Sequence, residues 1–182
     1  LLLDYSKSIR RRILSHLDRR GIEVSLNSEV REVLSDSIIL KNGQSLDFDL
    51  LIWVTGPWSQ EIFKESGFLT DARGFVLTRP TLQFEEYDNL FGVGDCATLS
   101  EAPLTPKAGV YAVRQGPYLT YNLYRWLEGS SLKNYHPQGD FLTLLNLGNG
   151  RAVGGKWGCS IEGRWVMKLK DHIDRKFVAD FS

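Results

Sequence analysis

Hydrophobic residues recur every three or four positions in three stretches of the chain, as they do in amphipathic helices. In the first stretch, Ser6 or Ser8 can cap a helix that ends at Gly21, and its apolar face consists of Ile9, Ile13, Leu14 and Leu17. The second runs from about 108 to 127, and Gly116-Pro117 predicts a kink or a break in it. Its expected buried stripe consists of Val110, Val113, Leu119, Leu123 and Leu127. The third covers 162–178, with an apolar face made of Trp165, Val166, Leu169, Ile173 and Phe177.

Shorter apolar or alternating stretches predict strands. They are 22–26, 30–34, 37–40, 45–54, 89–93, 141–147 and a glycine-weakened one at 151–158. Asn42-Gly43 tolerates positive φ angles and predicts a type I′ hairpin turn. Residues 50–54 are apolar on both faces, which is typical of a covered strand in a parallel sheet. The alternation of strands and helices therefore indicates an α/β fold.

Candidate ligand contacts follow two of these strands. Ligands of open α/β sheets bind beyond the carboxyl ends of the strands, where Thr55-Gly56 stands; an ordinary strand-to-loop turn is the alternative. Strand 89–93 leads into Gly94-Asp95, where glycine allows close backbone approach and the aspartate is an acceptor for a ligand hydroxyl. Lys107 precedes a helix whose first N–H groups are free and carry partial positive charge; an exposed loop lysine is the alternative.

Composition and charge narrow the classes of function. The 182 residues suffice for one domain or parts of two, and 22 basic against 22 acidic residues give a net charge of zero. No global field therefore favours nucleic acid or an anionic membrane. The arginines of the first helix predict a solvated face, or alternatively a docking site for a nucleotide phosphate; they are Arg10, Arg11, Arg12, Arg19 and Arg20. We recognise no spanning apolar run and no signal peptide. Two cysteines that form no disulfide framework indicate a reducing, cytoplasmic compartment.

The cysteines and histidines argue against metal and dithiol chemistry. Cys96 and Cys159 are far apart and form no Cys-x-x-Cys motif. The three histidines are scattered, with no pair at the spacing of metal ligands. We expect Cys96 to be a small buried residue, with an activated nucleophile as the alternative.

The run from Gly74 to Ala97 resembles the second FAD fingerprint of the pyridine nucleotide-disulfide oxidoreductase superfamily. The likeness lies in Gly74-Phe75-Val76-Leu77-Thr78, Pro80-Thr81-Leu82-Gln83 and Asp88-Asn89-Leu90-Phe91-Gly92-Val93-Gly94-Asp95-Cys96-Ala97. The resemblance implies that Asp95, next to Gly94, holds the ribityl chain of the flavin. It also implies that Thr55-Gly56 lies near the crossover between two cofactor domains. The helix start at Lys107, Ala108 and Gly109 would face the flavin pyrimidine ring.

The resemblance implies a partial FAD/NAD(P)-binding Rossmann-like two-domain fold with a small α+β C-terminal region. Residues 1–73 would be the C-terminal half of the NAD(P)H-binding domain, 74–129 the C-terminal part of the FAD-binding domain, and 130–182 a region of two strands and an amphipathic helix. Both Gly-x-Gly-x-x-Gly loops of the family are missing from the sequence. We therefore expect a C-terminal fragment that does not hold FAD tightly by itself.

A narrower likeness points to type II NADH dehydrogenases, and in particular to the module fused to selenide, water dikinase. It is carried by 106–117, 135–138 and 162–177. It implies a parent enzyme that passes hydride from NAD(P)H to FAD and on to an unidentified acceptor. Respiratory members carry Ala-Gln-x-Ala-x-Gln-Gln-Gly, and here Val110 and Arg114 replace two glutamines, which argues against quinone as that acceptor.

Two further alternatives stay open at this point. A binding or scaffold module that keeps the flavoprotein fold without turnover is the second hypothesis for the function. For 162–178, we expect contact with the rest of the protein or a second subunit, with a peripheral membrane contact as the alternative.

Overall fold

The computed structural model describes residues 2, 5–139, 142–156 and 158–179. In chain order the elements are α1 (Lys7–Asp18), β1 (Val30–Val33), β2 (Ser37–Leu40), β3 (Ser45–Asp47), α2 (Ile62–Glu65), β4 (Val76–Thr78), β5 (Ala97–Leu99), α3 (Gly109–Leu127), β6 (Thr143–Gly148), β7 (Arg151–Lys156), β8 (Cys159–Gly163) and α4 (Arg164–Ala179). They fall into two compact units, one comprising Leu1–Ile52 and Gly139–Ser182, the other Trp53–Gln138. The division into cofactor domains expected from the sequence stays a prediction.

The first unit is built around the antiparallel sheet β6-β7-β8, on which α1 packs. Ser6 caps α1, because its hydroxyl accepts a hydrogen bond from the Ile9 amide at 3.4 Å. Ile9 and Ile13 are buried against Val153 of β7, as the helical spacing of the apolar residues requires. The predicted helix and its apolar face are therefore confirmed.

Two glycines allow the strands of this sheet to approach each other closely. A Cβ atom on Gly154 would lie 2.0 Å from the Thr143 carbonyl oxygen, and one on Gly155 would lie 1.9 Å from that of Cys159. Both distances are far below any real contact, so no other residue fits here without movement of a neighbouring strand. The glycines that the pattern marked as a weakness of β7 are in fact a requirement of its packing.

The first unit also contains the antiparallel sheet β1-β2-β3. The hairpin between β2 and β3 lies where Asn42-Gly43 predicts it, but the predicted type I′ turn is wrong. Of these two residues only Gly43 has a positive φ, +88°. The Leu40 amide bonds the Gln44 carbonyl at 2.9 Å, which leaves a three-residue loop that ends in a left-handed glycine.

Two predicted strands are wrong, and a third is correct only in its first three residues. Residues 22–26 join none of the three described sheets, and Ile22 and Leu26 are about half exposed. The strand predicted at 45–54 is reduced to β3, and the apolar run after it joins no described sheet and is largely exposed, with Val54 83% exposed. Residues 89–93 make a single bridge at Phe91, and the strand follows the Gly-Asp turn instead. A strand needs a hydrogen-bonding neighbour, and apolar character alone does not supply one.

The second unit contains the parallel pair β4-β5 and the long helix α3. α3 runs unbroken through Pro117, so the break allowed at Gly116-Pro117 does not occur. Its predicted apolar stripe is wrong in large part. Leu119 packs against the core of this unit, but Leu123 and Leu127 are exposed. The buried positions are Tyr111, Gln115 and Asn122.

The buried amides of α3 are satisfied by backbone groups, which explains why polar residues occupy the inner face. Asn122 donates to the carbonyls of Thr81 and Lys133 at 2.8 and 2.9 Å and accepts from the Lys133 amide at 2.8 Å. Polar side chains with such partners can be buried at little cost. Hydrophobicity alone therefore identified the wrong face of this helix.

The C-terminal part has one strand more than predicted. β6 and β7 match the strands expected at 141–147 and 151–158, although Phe141 and Trp157 lie outside the described residues. β8 was missed, and its end occupies the first two positions of the helix predicted at 162–178. Val166 of α4 is fully buried, whereas Trp165, Ile173 and Phe177 remain substantially exposed.

Candidate functional site

Gly94 and Asp95 lie in a short 3₁₀ turn, Gly94–Cys96, that leads directly into β5. Gly94 has φ +71°, and its amide donates to the buried Gln115 side-chain oxygen at 2.6 Å. A Cβ at this position would stand 3.3 Å from Cβ of Ala112, so the turn is pressed against α3. Asp95 is exposed beside this contact. The turn thus presents a carboxylate at the start of α3.

A concave site of about 310 Å³, open to solvent, lies between this turn and α3. Four residues that the sequence identified as candidates line this site, namely Gly94, Asp95, Lys107 and Ala108. Two buried residues of α3, Tyr111 and Gln115, line it as well. Gly109 is the first residue of α3, where a Cβ would meet no atom within 4 Å, so the backbone there is open to an approaching group.

Thr55 and Gly56 are not brought to this site. Both are exposed, they belong to an irregular segment, and neither lines the concavity. Their assignment to a cofactor contact stays a prediction.

Lys107 is half-buried and its ammonium group is held inside the wall of the site. The ammonium donates to the Ala97 carbonyl and, at 2.9 Å, to the Thr98 hydroxyl, and it lies 4.3 Å from the centre of the Phe75 ring. Burial lowers the pKa of Lys107 below its usual value, and the negative charges of Asp71 and Asp95 act against that effect. The alternative of a plain exposed loop lysine does not describe this geometry.

Asp71 is the residue that sequence reasoning missed. One of its oxygens accepts from the amides of Arg73 and Phe75 at 2.8 and 3.1 Å, and the other accepts from the Thr98 hydroxyl at 2.9 Å. Burial acts to raise the pKa of Asp71, but these hydrogen bonds hold it below its usual value. The Asp-x-x-Gly turn at 71–74 was a readable signal, since aspartate often bonds the backbone two residues on.

Cys96 is exposed, so the expectation of a buried cysteine is wrong. The 3₁₀ turn points the side chain outward, and its thiol donates to the Val93 carbonyl at 3.1 Å. In the described part of the chain, no three His, Cys, Asp or Glu side chains are arranged to hold a metal ion.

A second polar cluster lies in the other unit, around Glu162 of β8. This carboxylate pairs with Arg151 at 2.8 Å, His16 at 2.9 Å and Arg12 at 3.3 Å. The bonds from Arg151 and His16 lower the pKa of Glu162 from 4.5 to about 2. These contacts connect α1 to the sheet. Arg12 was expected to lie on a solvated helix face, but it forms an ion pair with Glu162 instead.

The site in the second unit offers three kinds of contact on one concavity. Asp95 is an acceptor for hydroxyl groups, the start of α3 offers free N–H groups, and Lys107 adds a cation. Together they suit a ligand that carries hydroxyls at one end and gains negative charge at the other. The elements follow one another as strand β4, the Gly-Asp turn, its parallel partner β5 and helix α3, an α/β arrangement in which the turn and the helix start lie on one side of the concavity.

Comparison with known proteins gives the family. The model of the family described as pyridine nucleotide-disulphide oxidoreductase matches residues 1–116, and the chain belongs to that family of oxidoreductases. The family and the α/β cofactor-binding fold expected from the sequence are thereby confirmed.

The relatives are longer than this chain. It is 26% identical over 181 residues to a type II NADH:quinone oxidoreductase of Staphylococcus saprophyticus, covering 96% of this chain and 44% of that protein. It is 32% identical over 110 residues to a probable NADH dehydrogenase of Dictyostelium discoideum, covering 60% of this chain and 24% of that protein. The chain thus spans less than half the length of these relatives.

Solved structures show the same fold. A chain in the cryo-EM structure of the Tetrahymena thermophila mitochondrial ATP synthase F1Fo tetramer is 29% identical with a TM-score of 0.59, covering 85% of this chain and 38% of that one. An NAD-dependent persulfide reductase from A. fulgidus gives a TM-score of 0.61 at 15% identity, covering 82% of this chain and 28% of that one.

Among the described residues, none of the helices has both the length and the apolar character needed to cross a membrane.

Proposed function

We propose that the full-length protein is an FAD-dependent NAD(P)H oxidoreductase that passes hydride from NAD(P)H to its flavin and on to an unidentified acceptor. Membership of the oxidoreductase family and the names of the NADH dehydrogenase relatives support this proposal. The observation that carries it is the meeting of Asp95, the start of α3 and Lys107 on one concavity.

Each of these groups has a part in holding the cofactor. Asp95 would accept hydrogen bonds from ribityl hydroxyls, because a carboxylate is an acceptor only. The first N–H groups of α3, at Ala108 and Gly109, and the Lys107 ammonium would favour negative charge on the ring. The bound flavin supplies the hydride chemistry, and the protein supplies orientation and electrostatics.

The residues present account for part of a flavin site. The concavity is open to solvent, and its lining supplies contacts for the ribityl and ring-facing portion of the cofactor. We propose that the pyrophosphate-binding glycine loops belong to other parts of the full-length protein, and that the 182 residues alone bind FAD weakly.

The test is made on the full-length protein. We expect it to purify yellow and to be bleached by NADH or NADPH under anaerobic conditions. Asp95→Ala should lower the flavin content, whereas Glu86→Ala, an exposed carboxylate of the same unit outside the concavity, should not. A colourless protein that FAD cannot reconstitute would refute the proposal.

The electron acceptor is a separate question. Val110 and Arg114 stand where respiratory members of the family carry glutamines, which supports an acceptor other than quinone. Anaerobic reoxidation of the reduced protein by a soluble quinone, compared with ferricyanide, tests this. Fast reoxidation by the quinone would contradict it.

A non-catalytic scaffold is the second candidate function. The likeness to a chain of the Tetrahymena ATP synthase assembly, over 85% of this chain, favours it. A scaffold would be colourless or would hold a flavin that NAD(P)H does not reduce, and it would migrate with a large complex in native gels. Turnover with NAD(P)H and any artificial acceptor would exclude this candidate.

We also propose that α4 is a contact surface of a cytoplasmic protein. Trp165, Ile173 and Phe177 expose between 41% and 56% of their surface, which supports contact with a second subunit or with a membrane surface. Sedimentation and liposome flotation separate these two cases. Trp165→Ser/Phe177→Ser should abolish whichever contact is found.

A further inference from the structure

A continuous polar chain runs from Asp71 to the Lys107 ammonium. The Thr98 hydroxyl donates to Asp71 at 2.9 Å and is itself 2.9 Å from the ammonium of Lys107. Asp71 is fixed in turn by the amides of Arg73 and Phe75. Thr98 is buried, and it lies on β5 opposite Leu77 of β4, so the strand register sets its position.

Three further contacts define where the lysine charge sits. The ammonium donates to the Ala97 carbonyl and lies over the Phe75 ring, whose centre is also 4.9 Å from the Arg73 guanidinium. The charged or titratable groups that act on it are Asp71, Arg73, Asp95 and Cys96. Lys107 is therefore an ammonium held by a carbonyl, a hydroxyl and a ring, with a carboxylate behind the hydroxyl.

We infer that Thr98 and Asp71 are positioning residues that hold the Lys107 ammonium in the wall of the flavin site, so that its charge acts on the bound ring from a fixed place. The inference rests on the proposed function for the part that concerns the flavin. A lysine side chain has four flexible carbons and a strongly hydrated head, so without partners a half-buried ammonium turns toward water. The Thr98 hydroxyl prevents this, and Asp71 orients that hydroxyl.

The first measurement needs no cofactor. In the full-length protein, the rate of acetylation of Lys107 by acetic anhydride is followed by mass spectrometry over a range of pH, which separates the rate constant of the neutral amine from its pKa. A held, half-buried amine reacts slowly, and we expect Thr98→Val and Asp71→Asn to raise the rate several-fold. Thr98→Ser keeps the hydroxyl and should restore the slow rate. Thr78→Val is the matched control on β4, since the Thr78 hydroxyl makes only a 3.5 Å contact with the Thr98 carbonyl.

The second measurement is a double-mutant cycle on the midpoint potential of the bound flavin. Thr98→Val should shift the potential in the negative direction, because the lysine charge moves away from the reduced ring. Lys107→Met removes that charge, so Thr98→Val should cause no further shift in the Lys107→Met background. A purely structural role of Thr98 would shift the potential equally in both backgrounds.

The outcomes separate this inference from the proposed function. Unchanged acetylation in Thr98→Val and Asp71→Asn, in folded protein, overturns the positioning role. Faster acetylation with equal potential shifts in both backgrounds overturns the action on the flavin. If the full-length protein binds no flavin, the proposed function fails, and the acetylation rates alone decide whether Thr98 and Asp71 position Lys107.

Discussion

The Glu162 cluster gives the sharpest stability prediction. Glu162 has a side chain that is only 12% exposed, and it accepts hydrogen bonds from three cationic or titratable partners: Arg12, His16 and Arg151. Replacing it by glutamine keeps the size and removes the charge that these partners share. Glu162→Gln should therefore destabilise the unit formed by α1, the β6-β7-β8 sheet and α4.

The magnitude follows from the pKa of Glu162. Its fall from 4.5 to about 2 corresponds to about 3 kcal/mol at 1.4 kcal/mol per unit. The side chains of Arg12 and Arg151 are each 45% exposed, so solvent screens part of this energy. We expect a loss of about 1–2 kcal/mol in Glu162→Gln at pH values above the unfolded pKa.

The pH dependence has a definite sign. A carboxyl whose folded pKa is lowered contributes stability above its unfolded pKa, here 4.5, and loses it as the pH falls through the folded pKa, about 2. The contribution that comes from the ionisation of Glu162 should thus be fully present above about pH 5 and shrink toward zero near pH 2.

Native-state hydrogen exchange of the amides of α1 and β8 measures the opening free energy of this unit locally. Glu29→Gln is the control, because Glu29 and Lys41 form an ion pair in the same unit whose side chains are 69% and 61% exposed. That change should cost no more than about 0.5 kcal/mol. A Glu162→Gln effect as small as the control, or one that grows on acidification, would refute the reasoning.

Two further predictions concern buried polar and glycine positions. Asn122→Ala leaves two carbonyls and one amide without their hydrogen bonds, so it should lower the free energy of unfolding in urea by about 2–4 kcal/mol. The control Asn134→Ala removes an exposed amide and should change it by no more than about 0.5 kcal/mol. Equal effects of the two substitutions would contradict the role of the buried amide. Gly154→Ala should lower the melting temperature strongly, because its Cβ would lie 2.0 Å from a backbone oxygen. Gly116→Ala, where the new Cβ meets open space within α3, should instead stabilise the protein by about 0.5–1 kcal/mol. An unchanged melting temperature in Gly154→Ala would contradict the close spacing of the strands.

The sequence predicted the elements whose signals are local. Helix α1, with its serine cap, and the β2–β3 hairpin were found because a few neighbouring residues decide them. The prediction of a covered strand at 50–54 is wrong, because such a strand depends on neighbouring strands that the local hydrophobic pattern does not identify. The inner face of α3 was predicted wrongly for a related reason. Gln115 and Asn122 can be buried only because backbone groups distant in the sequence form hydrogen bonds with their side-chain amides.

The candidate site divides in the same way. The Gly94-Asp95 turn and the helix start after Lys107 are each formed by a few consecutive residues, so a sequence motif is enough to predict them. The direction of the Lys107 side chain is set instead by the register of β4 and β5, which places Thr98 between a turn at Asp71 and the ammonium. A one-residue slip of β5 would turn Thr98 to the other face and break the chain of contacts. Asp71 could thus be recognised as a local turn residue from sequence, but its connection to Lys107 requires the parallel pairing of β4 with β5, which brings Thr98 to a carboxylate 27 positions earlier in the chain.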